Sequence, residues 1–266
     1  MSEDFMPDLL LEIRDNVARI TINRPDAMNA MGFDMWTGMR EMVREIEHDP
    51  QVRVVLITGA GANFCAGGDV KEFETTLDMT DRERAVMLMR VADNANPLFM
   101  VLERIPQPVV VSVRGIAAGG GLGLVAGADL AIVSENAKFF AAQIKIGAVP
   151  DSFVGYNLVR NIGVKRAKQY CLLGDILDAR TALDAGLVNW VVPDAALEQQ
   201  TDKLLARLVK MPGKAISLTK AELNAAHTRT MAEHMVQETL DIGACVADPA
   251  FQTSLRQVVA RMRAKV

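Results

Sequence analysis

The chain has 266 residues, half of them hydrophobic and 23% charged, with a net charge of −4. That is enough apolar material for one large domain with a sizeable core, and the acid excess argues against nucleic acid as a partner. The three cysteines, Cys65, Cys171 and Cys245, form no C-x-x-C pair, which argues against a disulfide framework or a zinc site and points to a reducing cytoplasm.

The N-terminus, MSEDFMPDLL, is acidic where a signal peptide is basic. LLLEIRDNVARITINRP then reads as two strands around a turn at Asp15-Asn16, the second ended by Pro25. MGFDMWTGMREMVREIEHD carries Met35, Met39, Met42, Val43 and Ile46 at helical spacing, a stripe that reads most simply as core. VRVVLITGAG is a buried strand ending in a glycine turn. ANFCAGGDVKEF follows as a loop, and residues 82–102 are helical in pattern. PVVVSVRG is another buried strand and leads into GIAAGGGLG. The uncharged apolar run Gly115–Ala128, at 14 residues, is too short to span a bilayer. DLAIVSENAKFFAA gives strand, turn, strand; VPDSFVGYNLVRNIG starts a helix after Pro150; TALDAGLVNWVVP is a helix stopped by Gly186, then a strand. From about Asp194 the pattern is mostly helical, interrupted near Pro212-Gly213 and Pro249. The expectation is an α/β core over residues 1–195 and a C-terminal helical extension over 196–266. After Asp248 there is no acid, but Arg256, Arg261, Arg263 and Lys265 follow: a solvated helix face, or a site for a phosphorylated ligand.

Two glycine loops, GAGANFCAGGD (Gly59–Asp69) and GIAAGGGLG (Gly115–Gly123), each follow a buried strand. Such junctions present free backbone N–H groups, and a helix N-terminus adds positive dipole. Glycine lets another group approach that backbone closely. Neither loop is a P-loop, and the spacing of the second departs from a dinucleotide fingerprint. Tight strand–helix packing and anion or oxyanion binding both account for them.

FCAGGDVKEF (Phe64–Phe73), PVVVSVRGIAAGGGLGLVAGADLAIVSENAKF (Pro108–Phe139), RPDAMNAM near the start and LLGDILDARTALDAGLVNWVV later resemble the crotonase, or enoyl-CoA hydratase/isomerase, family. The likeness runs from about residue 8 to 195 and continues more weakly beyond. It implies a spiral of ββα units with C-terminal helices that mediate trimerisation, giving a homotrimer or hexamer. It implies an acyl-coenzyme A thioester as substrate, with coenzyme A as part of that substrate and no other cofactor or metal. By position, the backbone N–H groups of Gly68 and Gly120 would hold the thioester oxygen as an enolate forms. One such preorganised donor is worth roughly 3–4 kcal/mol. The resemblance also places Met28, Ala30 and Ala66 against the coenzyme, with Lys71 near its nucleotide. The tail cations could meet its phosphates. Phe73, Phe99, Met100 and Phe140 would line an apolar acyl pocket or belong to the core, with Gln143 beside the reacting carbons.

Hydratases of the family carry two glutamates; here those positions are Gly123 and Gln143. Hydration needs a base to activate water and an acid to protonate carbon, and neither residue titrates usefully. One carboxylate remains, Asp151 in GAVPDSF. With NPL (Asn96–Leu98) and PQPV (Pro106–Val109), this segment resembles the ring-1,2-epoxyphenylacetyl-CoA isomerase type, which uses an aspartate here for proton transfer. On pattern alone, Asp151 after Pro150 also suits a helix N-cap. A carboxylate buried among Phe140, Phe153 and Met100 would have a raised pKa, which suits proton shuttling. A family dehalogenase keeps a nucleophilic aspartate there, but with a tryptophan at position 143 and a histidine near 100, both missing here. His48, His227 and His234 lie outside the matched segments.

The expected activity is isomerisation of an acyl-coenzyme A, with Asp151 moving a proton between carbons. Three alternatives stay open: a hydratase or hydrolase with an atypical acid or base, a noncatalytic acyl-coenzyme A binder, and a nicotinamide-dependent dehydrogenase.

Overall fold

The computed structural model describes residues 7–264, so Lys265 of the basic tail lies outside the described residues. Strands β1 (Leu9–Arg14) and β2 (Val17–Ile22) form an antiparallel hairpin. Its turn is made by Asp15 and Asn16, both at positive φ, as a tight two-residue connection requires. Helix α1 (Phe33–Glu47) buries Met35, Trp36, Met39, Met42, Val43 and Ile46, the stripe expected from the sequence plus one tryptophan.

β3 (Val54–Gly59) pairs in parallel with β2 and is followed by α2 (Val70–Glu74) and the long α3 (Asp81–Arg104). β4 (Val109–Val113) pairs with β3, and β5 (Ile116–Ala118) leaves that sheet to begin a second one. Helix α4 (Gly120–Gly127) follows. The next unit repeats the move. β6 (Leu130–Ser134) joins the large sheet and β7 (Lys138–Phe140) joins β5, before α5 (Val154–Leu173). β8 (Leu177–Asp178), α6 (Ala179–Ala185) and β9 (Trp190–Val192) close the α/β part. The large sheet has the order β1-β2-β3-β4-β6-β9 and the small one β5-β7-β8. This is the spiral of ββα units that the resemblance implies.

Residues along β2, β3 and β4 alternate between faces, as a pleated strand demands. Ala18, Ile20, Val55, Ile57, Val109 and Val111 join the main core with α1 and α3. Val17, Val54, Leu56 and Val110 face Leu204, Leu205 and Leu208 of α7 (Leu197–Val209). Helix α8 (Gly213–Ala225) is anchored by the buried Lys220, whose ammonium donates to the carbonyls of Leu102 and Gln107 and meets Asp129 Oδ2 at 2.8 Å. Helices α9 (Met231–Val246) and α10 (Pro249–Arg263) complete the extension. The chain breaks between α8 and α9 at Thr230, a capping-box residue with Glu233, where the sequence reading saw no interruption. No helix among the described residues is long and apolar enough to cross a membrane.

One boundary differs in a way that affects the site. Helix α5 starts at Val154, not directly after Pro150, because Ser152 and Phe153 both take positive φ and coil the chain before the helix begins.

Candidate active site

The two glycine loops are stitched together by backbone. Cys65 N–H donates to the Ile116 carbonyl at 3.0 Å, and Ala118 N–H donates to the Cys65 carbonyl at 2.9 Å. On the other side Met31 N–H donates to Gly67 O at 2.7 Å, and Asp69 N–H to Met31 O at 3.0 Å. The buried Asn29 braces the first loop, donating from Nδ2 to the carbonyls of Ala60 and Asn63 and accepting Arg24 N–H on Oδ1. Arg24 pairs with the buried Asp69 at 2.8 Å.

These contacts set Gly67-Gly68 against Gly119-Gly120. A β-carbon on Gly67 would lie 2.9 Å from Ala118 O and 3.4 Å from Gly120 N. Gly67 (φ 95°) and Gly119 (φ 52°) both need glycine's freedom at positive φ. Among the described residues the N–H groups of Gly68 and Gly120 donate to nothing, although Gly120 is buried and starts α4. A buried, unpaired N–H is costly, and at a helix N-terminus it is suited to a negative oxygen. Phe73 lies over Gly68 and packs edge-on to Phe33, while Trp36 lies over Gly120. Trp36, Phe99 and Phe153 form a run of rings at 5.9 and 6.1 Å.

Cys65 sits inside this site but is no nucleophile. Burial pushes its thiol up to about 12, with the Gly67 N–H on Sγ opposing, so it stays protonated at neutral pH.

The two positions at which the resemblance expects hydratase glutamates are filled in different ways. A β-carbon on Gly123 would collide with the carbonyl oxygen of Ser152 and lie 3.1 Å from the Phe99 ring. The turn at 151–153 therefore occupies the space where an acid would project. Gln143, in a 3-10 turn over Ala142–Ile146, lies beside Gly119 and donates from Nε2 to Asp151 Oδ1 at 2.9 Å. Ser152 Oγ donates to the same oxygen at 3.2 Å.

Two expectations for Asp151 need correction. Its side chain caps no helix: the N-cap of α5 is Phe153, and only the Asp151 backbone carbonyl reaches the helix, accepting Val154 N–H at 3.0 Å. It is also exposed rather than buried among Phe140, Phe153 and Met100. The positive-φ turn carries Phe153 inward against Phe99 and leaves Asp151 exposed.

The other candidate residues spread around the loops. The Met28 carbonyl accepts Ala66 N–H at 3.1 Å; Met28 is exposed and Ala30 is buried. Lys71 is exposed at the start of α2, and its ammonium is in no ion pair among the described residues. Phe140 is half-buried beneath the Lys145 ammonium. Met100 is 43% exposed, so in this chain it belongs to surface rather than to a closed pocket; its neighbour Phe99 takes the inward position. Sequence reasoning named Phe99 as a pocket candidate but missed Trp36 and Ser152. Trp36 was within reach of helical periodicity, but nothing in the sequence announces the turn that brings Ser152 to Gly123.

Behind the site, burial pushes the Asp129 carboxyl up and the Lys220 ammonium down, while their mutual attraction opposes both shifts. This pair ties the C-terminal end of α4 to α8.

A family model described as enoyl-CoA hydratase/isomerase matches residues 12–261. A 1,2-epoxyphenylacetyl-CoA isomerase of Escherichia coli is 34% identical, with 85% of each chain covered. A probable enoyl-CoA hydratase of Mycobacterium bovis is also 34% identical, covering 85% of this chain and 80% of its own. The crystal structure of an enoyl-CoA hydratase from Mycobacterium smegmatis superposes with a TM-score of 0.87 at 28% identity, covering 96% of this chain and 97% of that one. The matched motifs, the two-sheet spiral and these likenesses agree: the chain belongs to the enoyl-CoA hydratase/isomerase family.

Proposed function

We propose that the protein is an acyl-coenzyme A isomerase. Asp151 removes a proton from the carbon next to the thioester; the C–H electron pair forms a double bond to the carbonyl carbon, and the carbonyl π pair moves onto the thioester oxygen, facing the N–H groups of Gly68 and Gly120. The protonated carboxyl then returns its proton to another carbon, shifting a double bond or remodelling a ring. One base is enough for such a shuttle, because the proton that leaves is the proton that returns. The observation that carries this reading is the closure of both glutamate positions, Gly123 by Ser152 and Gln143 by chemistry, beside a single carboxylate. The coenzyme is assigned to Met28, Ala30, Ala66 and Lys71, and the acyl group to Phe73, Phe140 and Gln143. No cofactor beyond the coenzyme A of the substrate is called for. Three free cysteines suit a cytoplasmic protein.

Asp151→Asn should abolish isomerisation of β,γ-unsaturated thioesters while acyl-coenzyme A binding stays nearly intact; full activity would sink the assignment. The equal identity to a hydratase and to an isomerase keeps hydration as the second reading. Heavy-oxygen water separates the two, since hydration incorporates label and isomerisation does not. Tight binding without turnover across thioesters would instead favour a noncatalytic binder.

We further propose a homotrimer or hexamer. Met231, Met235, Leu240, Ile242, Leu255 and Met262 on α9 and α10 are each at least half exposed in the single chain, an apolar surface suited to subunit contact. Sedimentation should report a multiple of the 29.0 kDa chain, and Leu240→Glu should reduce it.

A further inference from the structure

We infer that Gln143 and Ser152 are positioning residues that hold one oxygen of Asp151 and leave the other to carry the proton. This rests on Asp151 as the base. Both hydrogen bonds to the carboxylate, from Gln143 Nε2 at 2.9 Å and Ser152 Oγ at 3.2 Å, end on Oδ1; Oδ2 accepts none among the described residues. An exposed carboxylate would otherwise rotate freely, and two donors on one oxygen fix its plane. They also engage the lone pairs of Oδ1, which leaves those of Oδ2 free to take the proton.

The Gln143 amide is oriented at a cost. Its Oε1 is buried with no partner among the described residues. An orphaned buried acceptor is unfavourable, and the opposite amide orientation would set that oxygen against the carboxylate. The observed orientation therefore depends on a charge-assisted bond from Nε2 to ionised Asp151, the form required of a base.

Both positioning residues touch the loop that carries the Gly120 N–H. A β-carbon on Gly119 would lie 3.7 Å from the Gln143 amide, and one on Gly120 would lie 3.3 Å from Ser152 Oγ. Base and candidate oxyanion donor are thus held in one frame. Two cations of the packed elements are engaged elsewhere: Lys145 lies over Phe140, and Arg160 of α5 binds Glu103 of α3.

The test uses the full chain with 3-hexenoyl-coenzyme A, followed by the ultraviolet absorbance of the conjugated product. Gln143→Met should lower kcat by about 10²-fold, the scale of a misaligned reacting group, with a much smaller change in KM. Ser152→Ala should lower kcat by a smaller factor, and the double variant by more than either. Gln143→Glu places a second carboxylate beside Asp151, so the acidic limb of the kcat/KM profile should move to higher pH. That shift also tests the proposal should Gln143→Met fail to fold. The proposal is overturned if Gln143→Met and Ser152→Ala keep wild-type kcat, or Gln143→Glu keeps the wild-type profile, while Asp151→Asn is inactive. An active Asp151→Asn would overturn the underlying base assignment instead.

Discussion

Replacing Gly123 by alanine tests whether the 151–153 turn really fills the place of an acid. Gly123 lies inside α4, where a glycine-to-alanine change normally stabilises by roughly 0.5–1 kcal/mol. Here the new methyl would meet the backbone oxygen of Ser152, with Ser152 Cβ at 3.2 Å and the Phe99 ring at 3.1 Å. Overpacking a core by a methyl costs about 1–3 kcal/mol, and the upper end applies where the obstacle is backbone rather than a side-chain tip. The net expectation is a loss of about 1–2 kcal/mol, or about 2–8 °C in Tm for a domain of this size. Because Ser152 must retreat, Asp151 moves with it, and isomerisation should fall by about 10²-fold. Gly155, with nothing within 4 Å of its would-be β-carbon, is the control: Gly155→Ala should leave activity unchanged and raise stability by roughly 0.5 kcal/mol. Thermal denaturation at fixed protein concentration and the absorbance assay read both quantities. Wild-type Tm and full rate in Gly123→Ala would refute the reasoning, as would hydration restored by Gly123→Glu.

Two further predictions concern stability away from the reacting atoms. Lys220→Met leaves the Asp129 carboxylate buried without its cation and should cost about 3–5 kcal/mol by urea denaturation; adding Asp129→Asn should recover part of that loss. Asp178 caps α6 by accepting Thr181 N–H at 2.7 Å, which holds its carboxyl below the ordinary 3.8. A lowered folded pKa contributes stability above the unfolded value and loses it as pH falls through the folded one. Asp178→Ala should therefore cost about 1 kcal/mol at pH 7, and the gap from the parent protein should close as pH falls below about 4.

Much of the α/β architecture was legible in the order of residues. The Met35–Ile46 stripe, the valine runs of β3 and β4 and the stop at Gly186 are local signals, and each acts through a period or a single backbone conformation. The glycine loops announced bare backbone, and the departures at Gly123 and Gln143 could be read one residue at a time. What the chain order could not show was the surroundings of those residues. Whether Gly123 was an empty place or a filled one depended on Ser152 and Phe153, whose positive φ bends the chain before α5. That bend also undid the helix-cap reading of Asp151 and exposed its carboxylate, because a cap requires the side chain to face amides that here begin beyond Phe153. The choice of Phe99 over Met100 as the inward ring was likewise made by packing against Trp36 and Phe153. Periodicity and glycine placement are properties of neighbours in sequence; the filling of a cavity and the aim of a carboxylate are set by residues distant in sequence and adjacent only once the spiral has closed.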